Sequence, residues 1–214
     1  MMSCLETKCM AALSLLSLVL CVGCEPAKTV IHVVNISPSA VAAKAMQLYD
    51  TNKDGKISGT ELDKAPCLKA ALDMLGTDAA RGVTAEQIST RVQKWNDDKN
   101  GLEPVLCNVA HNGVPVKDAE IKFVPDPCIS DYLTQFGVGK TDANGAARIG
   151  LPKEPGSDIP TAIPPGFYRV EITKAGENIP AQFNTATTFG QEISHDGSLK
   201  HALAGQKMIF DMKY

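Results

Sequence analysis

Asp50-Thr51-Asn52-Lys53-Asp54-Gly55-Lys56-Ile57-Ser58-Gly59-Thr60-Glu61 is the stretch on which the organisation of this chain turns. Counted from Asp50 as position 1, side-chain oxygens fall at positions 1, 3, 5, 9 and 12, and a glycine falls at position 6, where a sharp turn needs one. Met46 and Tyr49 stand at apolar positions of a helix leading in. Ser58-x-x-Glu61 has the spacing of a capping box, so a second helix is predicted to lead out. The stretch therefore predicts two helices joined by an oxygen-rich turn.

These twelve residues resemble the loop of an EF-hand. The resemblance implies a calcium ion, a hard cation that takes about seven oxygens at roughly 2.4 Å. Asp50, Asn52 and Asp54 would supply side-chain oxygens. Lys56 would give only its backbone carbonyl, Ser58 would act through a water, and Glu61 would close the site with both carboxylate oxygens. Ile57, at position 8, is expected to bridge to a partner loop. With only three carboxylates, and with Lys53 and Lys56 close by, the expected affinity is on the order of 10⁻⁵–10⁻³ M. The partner candidate is Gly76 to Gln87, aligned on Val83. Gly76, Ala80 and Gln87 stand where ligands belong, and Arg81 replaces the turn glycine. A degenerate second hand is expected, keeping the Ile57–Val83 pairing without binding metal.

The flanks extend this helical unit over residues 37–100. Ser37-Pro38 is a helix start, Pro66 begins a helix expected to run to about Leu75, and Thr84-x-x-Gln87 is a capping box ahead of Ile88 to Trp95. Asn96 to Gly101 begins like another acidic loop, but Glu103, Pro104 and Cys107 then stand in the wrong places, so it reads as a polar helix end.

Met10 to Gly23 is an apolar run of about 14 residues behind Lys8, short of the ~20 needed to span a bilayer. It reads as an export signal, residues 1–23. Cys21-Val22-Gly23-Cys24 has two readings. A Cys-x-x-Cys redox pair belongs at a helix start in a βαβ setting, which the surroundings lack. The other reading resembles a bacterial lipobox. It implies a lipid such as palmitate on Cys24 and a protein held on a cell membrane or outer membrane, facing the periplasm or exterior. Residues 24–36 would be a tether, in which Val30 to Val34 could add a short strand. Of the seven cysteines, Cys67, Cys107 and Cys128 remain in the body of the chain. One bridge with a spare thiol, or three unpaired thiols, both fit. If a bridge forms, Cys107 with Cys128 is the pair expected, because both fall in the same predicted domain.

Residues 103–214 change character. Ile121 and Phe123 alternate with Glu120 and Lys122; Tyr168, Val170 and Ile172 alternate with Arg169, Glu171 and Thr173; Met208, Phe210 and Met212 alternate with Lys207, Ile209 and Asp211. Each run predicts a strand with one wet face. Asp142-Ala143-Asn144-Gly145 predicts a hairpin turn between Val138–Thr141 and Ala146–Ile149. Three motifs follow in order: Gly113-Val114-Pro115-Val116 to Phe123, Gly139-Lys140-Thr141-Asp142 to Ala147, and Pro164-Pro165-Gly166 to Ile172. They resemble the transthyretin-like or carboxypeptidase-regulatory-like domain of bacterial surface proteins. The resemblance implies an immunoglobulin-like antiparallel β-sandwich that serves as a spacer or binds a protein or polysaccharide.

The fold class expected is therefore α+β in two domains. The transthyretin fold includes a hydrolase with a Tyr-Arg-Gly-Ser type C-terminus, whereas this chain ends Asp211-Met212-Lys213-Tyr214. His32, His111, His195 and His201 lack metal-ligand spacing. No catalytic residue is expected. The rival reading is an accessory or hydrolytic protein, to be recognised by His, Asp and Arg gathered in one concave loop site. The 214 residues carry 21 Lys+Arg against 24 Asp+Glu, a net charge of −3, which gives no footprint for nucleic acid.

Overall fold

The computed structural model describes residues 35–99, 101–153, 161–203 and 207–214. The export signal, Cys24 and most of the expected tether, with its strand at Val30 to Val34, lie outside the described residues. Among the described residues no helix is long and apolar enough to cross a membrane.

Local signals set the first helices. In α1 (Pro38–Tyr49), Ser37 is the cap and its hydroxyl accepts the Ala40 N–H. Val41, Ala42, Ala45 and Tyr49 form the buried stripe. Two short helices follow, α2 (Thr60–Lys64) and α3 (Pro66–Ala70). The helix expected to reach Leu75 thus stops at Ala70 and continues as turns to Gly76, whose φ is +68°. In α4 (Ala85–Asp98) both halves of the Thr84–Gln87 capping box form, and Ile88, Arg91, Val92 and Trp95 are buried. Lys99 ends this helix in the left-handed conformation, φ 52°.

Among the described residues, eight strands make two sheets. The strands are β1 (Val105–His111), β2 (Val114–Pro115), β3 (Glu120–Pro125), β4 (Gly137–Lys140), β5 (Ala146–Ile149), β6 (Gly166–Thr173), β7 (Gly190–Ile193) and β8 (Met208–Met212). One sheet centres on β1, with β2 and β5 along one edge and β8 along the other. The second sheet runs β4-β3-β6-β7. Their inner faces meet through Phe123 and Phe210, ring centroids 5.9 Å apart. The alternation read at Ile121, Phe123, Tyr168, Val170, Ile172, Phe210 and Met212 places all seven inward.

Three expectations are corrected. The sheets are not wholly antiparallel, because β8 runs parallel to β1. The chain enters β8 from β7 of the other sheet through α5 (His195–Leu203), so no hairpin turn ties β8 to β1 and the antiparallel direction that a tight turn imposes is not required. The turn at Asp142–Gly145 does form, with the Asp142 N–H on the Ala146 carbonyl at 2.8 Å, but its arms diverge into different sheets. Only the Val138–Gly150 bridge joins them. Finally, the outer face of the β6–β7 edge is not wet. Phe167, on the face opposite Val170, packs edge-on to Trp95 of α4 at 4.7 Å.

That contact packs the helical unit against the sandwich. Buried residues from Ile36 to Met212 form one continuous core. At Gly190 an added Cβ would stand 2.1 Å from the Pro66 backbone carbon, so only glycine lets β7 lie against α3. Ile36, expected in the tether, is buried, and Asn96 pairs with its N–H and carbonyl at 3.2 and 2.7 Å. The change at residues 101–103 is one of element type and not of core.

Candidate metal centre

The loop Asp50–Glu61 opens where α1 stops and closes on the first turn of α2. Its side chains are tied to its own backbone. Asp50 accepts the N–H groups of Asp54 and Gly55 at 3.2 and 3.1 Å. Asn52 accepts the Asp54 N–H at 2.9 Å, and Asp54 accepts the Lys56 N–H at 2.9 Å. Gly55, at φ +85°, and Lys53, at φ +61°, take the left-handed conformations that let the chain turn this tightly. Lys56 is exposed and points no charge into a buried site.

Glu61 is the anchor. It is only 5 % exposed, although its loop neighbours from Thr51 to Lys56 face solvent. Oε1 accepts the Thr51 N–H at 2.8 Å, the Thr51 hydroxyl at 2.9 Å and the Asn52 N–H at 3.2 Å. Oε2 accepts the Ser58 N–H at 3.1 Å. The Ser58 N–H, above all, holds this carboxyl below the usual glutamate range, with the Thr51 and Asn52 donors adding to it. Only half of the expected capping box forms: the Glu61 carboxylate reaches back to Ser58, but no side chain caps α2.

The expected Ile57–Val83 pairing forms. The Ile57 and Val83 N–H groups bond each other's carbonyls at 2.9 and 3.0 Å. Asp78 is occupied by the Ala80 and Arg81 N–H groups and by the Arg81 guanidinium at 2.8 Å, which pairs with its charge.

The donor set of the first loop suits a hard cation in kind: Asp50, Asn52, Asp54, Ser58 and Glu61 offer only oxygens to it. The Asp50 and Asp54 oxygens and Glu61 Oε2 each accept one hydrogen bond and keep a second acceptor direction for an ion, whereas Glu61 Oε1, with three donors, would have to give some up. The carboxylates do not converge, however. Among the described residues no group of three His, Cys, Asp or Glu side chains stands close enough to hold a metal.

Two buried polar clusters went unread in the sequence. In one, Arg91 donates to Glu192 at 2.5 Å, to Ser194 at 2.9 Å and to both Asp196 oxygens at 2.8 and 2.7 Å. Trp95 Nε1 donates to the same Glu192 oxygen at 2.9 Å, and Glu192 Oε2 has no hydrogen-bond partner among the described residues. Burial pushes the Glu192 carboxyl up against the pull of Arg91, while the Arg91 hydrogen bonds draw Asp196 down to about 2. In the other, fully buried Asp126 accepts the Tyr49 hydroxyl at 2.9 Å on each oxygen and the Cys128 N–H at 3.0 Å. Asp126-Pro127 is a turn-starting dipeptide, so the turn was legible although its burial was not.

The expected Cys107–Cys128 bridge is absent. Cys67, Cys107 and Cys128 are all free, buried thiols. Cys107 faces the core from β1, where burial alone pushes its thiol up to about 12. Cys128 lies instead in the turn after β3, where its N–H donates to Asp126 at 3.0 Å.

A groove of about 640 Å³ runs along Glu103, Leu106, Arg148, Thr161, His195 and Leu199. His195 Nδ1 lies 3.5 Å from the buried Glu103 carboxylate, which burial holds above the usual glutamate range. No family model matches this chain, and neither a curated protein nor a solved structure matches it at a significant level.

Proposed function

We propose that this chain is an exported lipoprotein, held on a membrane through Cys24, that binds one calcium ion in an EF-hand loop at Asp50–Glu61. Its transthyretin-like, immunoglobulin-like sandwich serves as a spacer or as a binding module for a protein or polysaccharide. The observation that carries the calcium reading is Glu61. Its carboxylate is drawn out of solvent and folded back over both ends of a loop whose other acidic side chains stay wet. Bringing Asp50, Asp54 and Glu61 together is repulsive without a cation, so the ion acts as a staple of the helical unit and binding adds to stability. At 100 times the dissociation constant the gain is about 2.7 kcal/mol.

The test is calcium titration of the full chain by calorimetry and melting. A rise in Tm at millimolar calcium is expected, and Asp54→Asn should remove the rise. Neither heat nor a Tm shift in the wild type would end the calcium reading. For the anchor, palmitate label should disappear in Cys24→Ala.

The groove beside β1 favours a second reading, an accessory or hydrolytic protein, because it gathers His195, Arg148 and an acidic partner, Glu103. Hydrolysis of model esters that is lost in His195→Ala would support it. Activity that survives that change would exclude a role for this groove.

A further inference from the structure

The groove of about 640 Å³ has two walls, and each carries one exposed leucine beside one nitrogen-bearing side chain. On the sheet wall, Leu106 of β1 and Arg148 of β5 are paired in register, so both side chains stand on one face of the sheet. That face is the outer one, because the next residues, Cys107 and Ala147, are buried while Leu106 is 53 % exposed and Arg148 faces solvent. Among the described residues the Arg148 guanidinium has no ion-pair partner. On the helix wall, His195 and Leu199 are spaced to share one side of α5, and both are exposed. Glu103 is the one acid lining the groove; it is buried, and His195 Nδ1 lies 3.5 Å from it, which leaves Nε2 to the groove.

We propose that this groove binds a small monocarboxylate with an unbranched apolar body, its carboxylate on Arg148 and its hydrocarbon between Leu106 and Leu199. The volume is that of a small-molecule site. A guanidinium presents a planar fork that matches the two oxygens of a carboxylate. An apolar chain gains by covering two leucines that the fold leaves in water. A wholly apolar ligand would leave the guanidinium unused, and a cation would meet it as a like charge, since Glu103 is already engaged by His195. Such binding needs neither calcium nor ester cleavage; it shares the groove, but not turnover, with the hydrolytic reading above.

Octanoate is titrated into the isotope-labelled full chain and backbone amide shifts are followed by NMR. Signals of residues 103–106, 148 and 195–199 should move together and saturate at about 1–10 mM. Butyrate, with less hydrocarbon, and octylammonium, with the opposite charge, should each bind about tenfold more weakly or not at all. Arg148→Ala should weaken octanoate about tenfold, since a charge-assisted hydrogen bond is lost, and Leu199→Ser should weaken it by a smaller factor. Both residues are exposed, so the variants should keep the wild-type Tm, and Lys117→Ala, outside the groove, should bind as the wild type does. Shifts that do not saturate, that scatter over the surface without these residues, that are matched by octylammonium, or that persist unchanged in Arg148→Ala would overturn the proposal. Octanoate binding without ester cleavage would uphold it and not the hydrolytic reading; ester cleavage without octanoate binding would do the reverse.

Discussion

The loop Asp50–Glu61 and the cluster of Arg91, Glu192 and Asp196 both gather carboxylates, and they satisfy them by opposite means. In the loop the partners are backbone N–H groups no more than 10 residues away, and most of the side chains stay in water. In the cluster the partners are side chains 97 or more residues away, and Arg91 and Glu192 are almost wholly dry, at 4 % and 2 % side-chain exposure. A wet, locally bonded carboxylate can be disturbed at little cost. A dry, paired one cannot, because removing its partner leaves a charge in a medium that does not solvate it. The first arrangement suits a site that gains and loses an ion; the second suits a joint between helices and sheets.

The largest expected effect is at the joint. Arg91→Leu leaves Glu192 buried with Trp95 as its remaining donor, and should cost about 3–5 kcal/mol in chemical unfolding. Arg91→Leu combined with Glu192→Leu should recover most of that loss, since replacing both members of a buried pair with apolar residues is often neutral. A cost under about 1 kcal/mol for the single change would mean that the cluster is not the joint described here.

Next comes the seam itself. Gly190→Ala should destabilise by about 1–3 kcal/mol, because its Cβ meets backbone, which cannot give way as a flexible side chain would. Helical and sandwich signals should still melt in one transition, as one continuous core requires. Two separate transitions in the wild type would show that helices and sandwich unfold independently.

A much smaller effect is expected in the loop. Asp54→Asn keeps an oxygen for the Lys56 N–H and faces solvent, so without added calcium its effect should stay within about 0.5 kcal/mol. The comparison sharpens if the same substitution abolishes the calcium-dependent rise in Tm.

The mildest test is acid. Glu61 and Asp196 both ionise below their ordinary values in the fold. The stability they lend is complete above the unfolded values near pH 4 and is lost as pH falls through the folded ones, about 2 for Asp196. Glu103 has the opposite sign, since burial raises its carboxyl and its ionisation costs stability as pH rises past the unfolded value. Melting curves should show stability falling from pH 4 to 2, with a shallower slope in Asp196→Asn.

By itself the sequence determined what neighbours along the chain can decide. Ser37 and Thr84 cap their helices, Gly55 turns the loop, Ile57 finds Val83, and alternation names the inward residues of β3, β6 and β8. Each of these rests on hydrogen bonds or periodicities spanning a few residues, or on two loops held close by the helices around them. Tertiary structure alone decided the rest: the direction of β8, the parting of the arms at Asp142–Gly145, the burial of Phe167 under Trp95, and the bond from Tyr49 to Asp126. A strand's pattern says which residues avoid water but not what covers them. A buried Arg, Asp or Cys looks in sequence like a solvated one until its partner arrives from the other end of the chain.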